Sequence, residues 1–149
     1  DGLKPPSATI RDVVMLQPIL DRWEARRVAE DTPKVPTLEE AKAAKRKRIN
    51  ADRDQYIVSG GEFNGITYDS DQRSRDNLTG AVAAFSAGVP VPKDFAWRSA
   101  DNTNVPMTVQ ELVGLAAAML VHVNTAYAVS WKRKTALDAA TTLEEVAAV

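Results

Sequence analysis

The chain has 149 residues, of which 44% are hydrophobic, 26% charged and 6% aromatic, enough for one globular domain of ordinary make-up plus a terminal extension. At this length about 68% of the unfolded surface is buried on folding. Because cysteine is absent, zinc–thiolate sites, iron–sulfur clusters, thiol nucleophiles and disulfide frameworks are excluded; nineteen basic against twenty acidic side chains argue against wholesale binding to nucleic acid or an anionic membrane.

Asp1-Gly2-Leu3-Lys4-Pro5-Pro6 has neither an apolar signal run nor an initiator Met, as expected of a trimmed or processed chain. Residues 1–36 read as an N-terminal arm punctuated by Pro5, Pro6, Pro18, Pro33 and Pro36. A short helix starting near Pro18, at the favoured first-turn position, places Ile19, Leu20 and Trp23 on one face. A Trp on such a segment docks on its own domain or on a neighbouring chain, so these three are the candidate partner-binding residues of the arm. Asp31-Thr32-Pro33-Lys34-Val35-Pro36 reads as an extended linker, because a residue before proline is pushed out of the helical region.

A compact domain is expected over 37–149. Thr37-Leu38-Glu39-Glu40 is a capping box opening a helix to about residue 59, with Leu38, Ala41, Ile49 and Tyr56 on one side and Gly60-Gly61 as its stop. The basic run from Lys42 to Arg53 reads as a solvated face rather than a nucleic-acid grip, with acids at its ends to pair with it. Phe63-Asn64-Gly65-Ile66-Thr67-Tyr68 predicts a hairpin with a type I′ turn. Ser70 or Asp71 caps a helix to about residue 87, with Leu78, Val82 and Phe85 inward and Gly80 permitting close helix contact. Residues 95–98 and 105–107 predict a second hairpin across the turn formers Asp101 to Asn104.

Thr108-Val109-Gln110-Glu111 is a second capping box, opening the longest helix, 109–137. Its predicted apolar face is Leu112, Val113, Ala116, Met119, Leu120, Val123, Tyr127 and Trp131. The stretch from Leu112 to Trp131 carries no formal charge; its His, Asn, Thr and Ser make it a buried helix of a soluble domain rather than a membrane span. Thr142-Leu143-Glu144-Glu145 is a third box starting a short helix. The predicted fold class is α+β: three main helices packed with one small antiparallel sheet of two hairpins.

The residues offer little chemistry. His122 is the single histidine and has no carboxylate three or four residues away, so neither a metal site nor a catalytic base is expected there. A triad of Ser99, Asp101 and His122 lacks a nucleophile elbow and an oxyanion-hole signature. Asp69 and Asp71 open no calcium loop, because Arg73, Ser74 and Gly80 stand where an oxygen ligand, Gly and Glu are needed. Gly60-Gly61 has no P-loop or dinucleotide partners. No cofactor, metal or catalytic residue is therefore expected.

Thr37-Leu38-Glu39-Glu40-Ala41-Lys42, Phe63-Asn64-Gly65-Ile66-Thr67-Tyr68, Asp76-Asn77-Leu78-Thr79-Gly80-Ala81, Trp97-Arg98-Ser99-Ala100-Asp101-Asn102-Thr103 and Ala140-Thr141-Thr142-Leu143-Glu144-Glu145 succeed one another in order. From Thr37 to Val149 this succession resembles a domain-of-unknown-function family found at the C-terminal end of bacteriophage tail-fibre, tail-fibre assembly and baseplate-associated proteins. The Trp-Arg-x-Ala-Asp-Asn block and the Asn-Gly hairpin are its most specific parts. The resemblance implies a non-enzymatic tail-fibre or baseplate-associated adaptor in the virion tail, made in the host cytoplasm, oligomeric in the particle, with other tail proteins as partners. A fibre-assembly chaperone is the alternative; a carbohydrate-binding domain using Phe63, Tyr68 and Trp97 as an aromatic platform ranks lower, since aromatics in short strands are commonly buried under helices.

Overall fold

The protein is described by a computed structural model over residues 10–31 and 34–149, with side chains over 16–28 and 34–149. It divides into two units, Asp1–Pro36 and Thr37–Val149.

The first unit contains α1, Ile10–Asp31. The helix does not start at Pro18 but includes it as an interior residue. Proline removes one backbone donor and crowds the preceding turn, and here it does not end the helix; the Gln17 side chain reaches across it to Asp21 at 2.7 Å. Of the predicted linker, Asp31 is the last helical residue, Lys34 to Pro36 have no regular structure, and Thr32 and Pro33 lie outside the described residues, as do Pro5 and Pro6.

The second unit is α+β. Its elements are α2 (Leu38–Ile57), β1 (Gly61–Phe63), β2 (Ile66–Tyr68), α3 (Gln72–Ser86), β3 (Ala96–Arg98), β4 (Asn104–Pro106), α4 (Val109–Ala139) and α5 (Leu143–Ala148). Five helices thus occur among the described residues rather than three main ones. The expected single sheet is instead two separate two-stranded antiparallel sheets, β1–β2 and β3–β4. Each ladder spans three residue pairs, such as Phe63↔Ile66 and Trp97↔Val105. The Ala100 N–H donates to the Thr67 carbonyl at 2.9 Å, so the second turn is tied to the first hairpin without extending a ladder.

Local chemistry sets the boundaries. All three capping boxes close: Thr37, Thr108 and Thr142 each accept from the backbone N–H of the Glu three residues on, whose carboxylate accepts from the cap backbone. Asp71, not Ser70, caps α3, accepting from the Ser74 N–H at 3.1 Å. Asn64 and Gly65 both have positive φ, 51° and 75°, as a type I′ turn requires.

Helix α4 is the spine, with a core at each end. Toward its start, Tyr68, Leu78, Met107, Leu112, Leu115 and Met119 cluster, covered by Phe63, Val82, Phe85, Phe95 and Trp97. Toward its end, Ile49, Leu137, Ala140 and Val146 form a second cluster with Leu38, Ala41 and Val149. The seam that α4 buries runs through Leu112, Leu115, Met119, Ala126, Ser130 and Leu137. Of the predicted face, Val113, Leu120 and Trp131 are exposed, so α4 is a half-buried helix rather than a buried one. Tyr56 is likewise exposed, and Ile57 takes its place in the core.

Glycine contacts differ from expectation as well. A Cβ at Gly80 would meet nothing within 4 Å, so Gly80 mediates no close helix contact. The close approach is at Gly114, where a Cβ would stand 2.8 Å from the ring tip of Phe63. The first hairpin packs on α4 there because Gly114 presents no side chain to the Phe63 ring.

Candidate functional site

In the arm, Leu16, Ile19, Leu20 and Trp23 recur at helical spacing, one face of an amphipathic helix. All four are exposed, Trp23 at 75%. Gln17, Asp21, Arg22 and Glu24 lie off this face, while Arg26 and Arg27, three and four residues after Trp23, extend it with charge. The predicted residues Ile19, Leu20 and Trp23 therefore form an uncovered apolar strip ending in an indole.

The hairpin aromatics are placed otherwise. Tyr68 is 2% exposed in the first core, and burial, then the charge of Glu111, pushes its phenol pKa up. Phe63 and Trp97 are half-buried and pack against that core. Buried Tyr68 is thereby closed to a sugar ring, which needs an open ring face to stack on, while Trp97 also lines a shallow surface groove with Asp69, Ser74, Asn77 and Arg98. Phe95 stands edge-on to Phe85, with centroids 5.0 Å apart, and tilted against Trp97 at 6.4 Å.

The Trp-Arg-x-Ala-Asp-Asn block builds a turn. Arg98 Nε donates to the Asn102 side-chain carbonyl at 3.1 Å and its terminal nitrogen to that of Asn104 at 3.3 Å. The buried Ser99 hydroxyl lies 2.5 Å from the Asp101 carboxylate and 2.9 Å from the Thr103 carbonyl. Asn102 adopts φ 67°, a left-handed conformation that Asn tolerates. Ser99 and Asp101 thus serve the turn. His122, far from a relay, points a ring nitrogen at the Tyr56 carbonyl, 2.9 Å away, and stacks on the Tyr56 ring with centroids 4.5 Å apart.

Between the two cores, α2 and α4 leave a groove of about 380 Å³ lined by Ile49, Asp52, Arg53, Tyr56, Ser130 and Arg133, among others. Asp52 bridges Arg133 and Arg48, each at 2.9 Å; these two guanidiniums hold its carboxyl below the usual range, Arg133 first. Arg53 lies over the Tyr127 ring at 5.0 Å. The Ser130 hydroxyl is buried and has no partner among the described residues. Sequence reasoning missed this groove, since nothing distinguishes Ser130 from any other helical serine until α2 is laid against it. With an apolar floor and paired charges at the rim, the groove can hold a small apolar group. Among the described residues no cluster of three metal-ligating side chains occurs.

The basic run of α2 is largely committed. Lys42 Nζ donates to the Asp138 carbonyl at 3.1 Å and Lys45 Nζ to the Ala147 carbonyl at 2.9 Å, while Arg46 pairs with the Asp138 carboxylate. Those carbonyls sit at the C-terminal ends of α4 and α5, where unpaired acceptors and the helix dipole favour cations. Buried Ser70, passed over as a cap, ties the end of α2 to the loop after it: its hydroxyl donates to the Ile57 carbonyl at 2.6 Å and accepts from the Gly60 N–H at 2.9 Å.

Comparison with known proteins adds one finding. No curated protein and no solved structure matches the chain. The family described as domain of unknown function (DUF4376) matches residues 40–149, the stretch that holds both hairpins, the Trp-Arg-x-Ala-Asp-Asn turn and the α4 spine. The chain belongs to this family, DUF4376.

Proposed function

We propose that the protein is a non-enzymatic bacteriophage tail component, a fibre- or baseplate-associated adaptor that attaches to another tail protein through its arm. The observation that carries the attachment is the exposed apolar strip of α1, with Trp23 at 75% exposure. An indole on an amphipathic helix is a typical anchor at protein interfaces, and an uncovered apolar strip is a liability for a free chain. Support for the tail comes from the succession of motifs between Thr37 and Glu145. Support for a non-enzymatic role comes from what the distinctive residues do: Asn64, Ser99, Asp101 and Asn102 make turns, and His122 braces Tyr56.

Coexpression with the fibre and baseplate genes of the same phage tests the proposal. The expected result is a stable complex with one of these proteins that Trp23→Asp abolishes while far-UV circular dichroism and melting temperature are unchanged. Failure of fibre to become soluble and trimeric without this chain, with no complex persisting afterwards, would instead identify an assembly chaperone.

A further inference from the structure

The solvent side of α4 is apolar along most of its length. Val113, Leu120, Val121 and Trp131 are 44%, 61%, 64% and 63% exposed, and Ala117, Asn124 and Ala128 are exposed beside them. Val113, Ala117, Leu120, Asn124, Tyr127 and Trp131 alternate steps of four and three residues, the spacing of a coiled-coil seam. They lie on a separate side of the helix from the buried seam of Leu112, Leu115, Met119 and Ala126, with Tyr127, half-buried under Arg53, at their edge. From Leu112 to Trp131 there is no Asp, Glu, Lys or Arg, a strip about 30 Å long at 1.5 Å per residue.

We propose that this strip is a seam between two copies of the chain, with a two-fold axis passing at Asn124. Three features select a second copy over other occupants. The strip has no charge with which to recognise an unlike protein, whereas an uncharged helical seam is complementary to itself. Asn124 stands in the central part of it, eleven residues after Val113 and seven before Trp131, and its amide carries both donors and an acceptor. Placed against an apolar partner or a lipid surface that amide is left unpaired, at a cost; placed on a two-fold axis it meets its own copy and both are satisfied, the arrangement by which a single Asn fixes register in coiled coils. Finally, the flanking charges do not oppose pairing: Glu111 is engaged in the Thr108 capping box and Arg133 with Asp52. One helical strip of this length is at the small end of specific interfaces, so the dimer is a micromolar one. A self-associating chain is compatible with many functions, and the seam stands or falls without the tail assignment.

Sedimentation equilibrium of the full chain tests the seam. At about 100 µM the mass is expected at twice 16.2 kDa, falling toward the monomer near 1 µM, since a Kd in that range corresponds to about −8 kcal/mol. Leu120→Glu is expected to be monomeric at both concentrations, and Trp23→Ala to remain dimeric. The chain has no cysteine, so Asn124→Cys supplies a second readout independent of that variant's folding: two Cβ atoms close to the axis join by a disulfide on mild oxidation, whereas Glu144→Cys, away from the strip, does not. A wild-type monomer at 100 µM overturns the proposal, as does a dimer lost in Trp23→Ala but kept in Leu120→Glu. Equal cross-linking of the two cysteine variants also overturns it, and flotation of the wild-type chain with neutral phosphatidylcholine vesicles would assign the strip to a lipid surface instead.

Discussion

At the scale of single residues, the sharpest test is a pair of glycines with opposite expected outcomes. In a helix interior, Gly→Ala alone gains about 1 kcal/mol. Gly80 is exposed in α3 with open space around it, so Gly80→Ala is expected to raise stability by about 0.5–1 kcal/mol. At Gly114 the added methyl would overlap the Phe63 ring, and overpacking costs about 1–3 kcal/mol. Gly114→Ala is expected to lower stability by about 1 kcal/mol net; urea unfolding of both variants measures the difference. The carboxylates give a second test. Hydrogen bonds from Ser74 to Asp71, Ser99 to Asp101, Thr108 to Glu111 and Thr141 to Glu145 hold each of these pKa values down, and Arg133 and Arg48 do the same for Asp52. A group whose folded pKa is depressed contributes stability that is complete above its unfolded value and lost as pH falls through the folded one. With unfolded values of about 3.9 for Asp and 4.3 for Glu, the melting temperature should be level from pH 7 to about 5 and fall steeply below about 4. A profile that instead falls between pH 7 and 6 would contradict this account.

Among the elements, α4 decides the fold, because both cores are built on it. Leu115→Ala, at a site fully closed to solvent, is expected to cost about 2–5 kcal/mol, and Thr108→Ala, which removes the cap, about 1 kcal/mol; thermal or chemical unfolding checks both. Features that depend on residues close in sequence are legible without the structure. The Thr–Glu boxes and the Asn64-Gly65 turn are complete within four residues, so their geometry does not wait for tertiary contacts. The inward face of α4 is not legible in the same way. With no charge between Leu112 and Trp131, apolar residues occur all round the helix, and periodicity alone cannot choose between the stripe through Leu120 and Trp131 and the one through Leu115 and Ala126. Contact with β1, α2 and α3 makes that choice. The two hairpins are readable as hairpins, yet their separation into two sheets rests on which backbone groups meet, Ala100 with Thr67. The α2–α4 groove and its unpaired Ser130 hydroxyl arise only when two helices distant in sequence are packed together. Arg46, Lys42 and Lys45 add what the sequence does not show: within a basic run that reads as solvated surface, and whose Arg46, Lys47 and Arg48 are exposed, these three also reach the ends of α4 and α5.

For the whole molecule, the division at Thr37 has a physical basis. The Thr37 capping box starts α2 with groups that all lie at or after residue 37, and both cores draw on residues from 38 onward. Residues 37–149 alone are therefore expected to melt cooperatively within a few degrees of the full chain, as calorimetry would show. On the proposed reading attachment belongs to the arm, whose apolar strip is exposed. The most direct measurement of this account is mass spectrometry of purified phage particles, comparing the full chain with a chain that lacks residues 1–36. The full chain should be present alongside the fibre or baseplate proteins, and the shortened chain, although folded and soluble in the host, should be missing from particles. Particles that contain the shortened chain at full occupancy, or that lack the full chain altogether while carrying fibres, would contradict it.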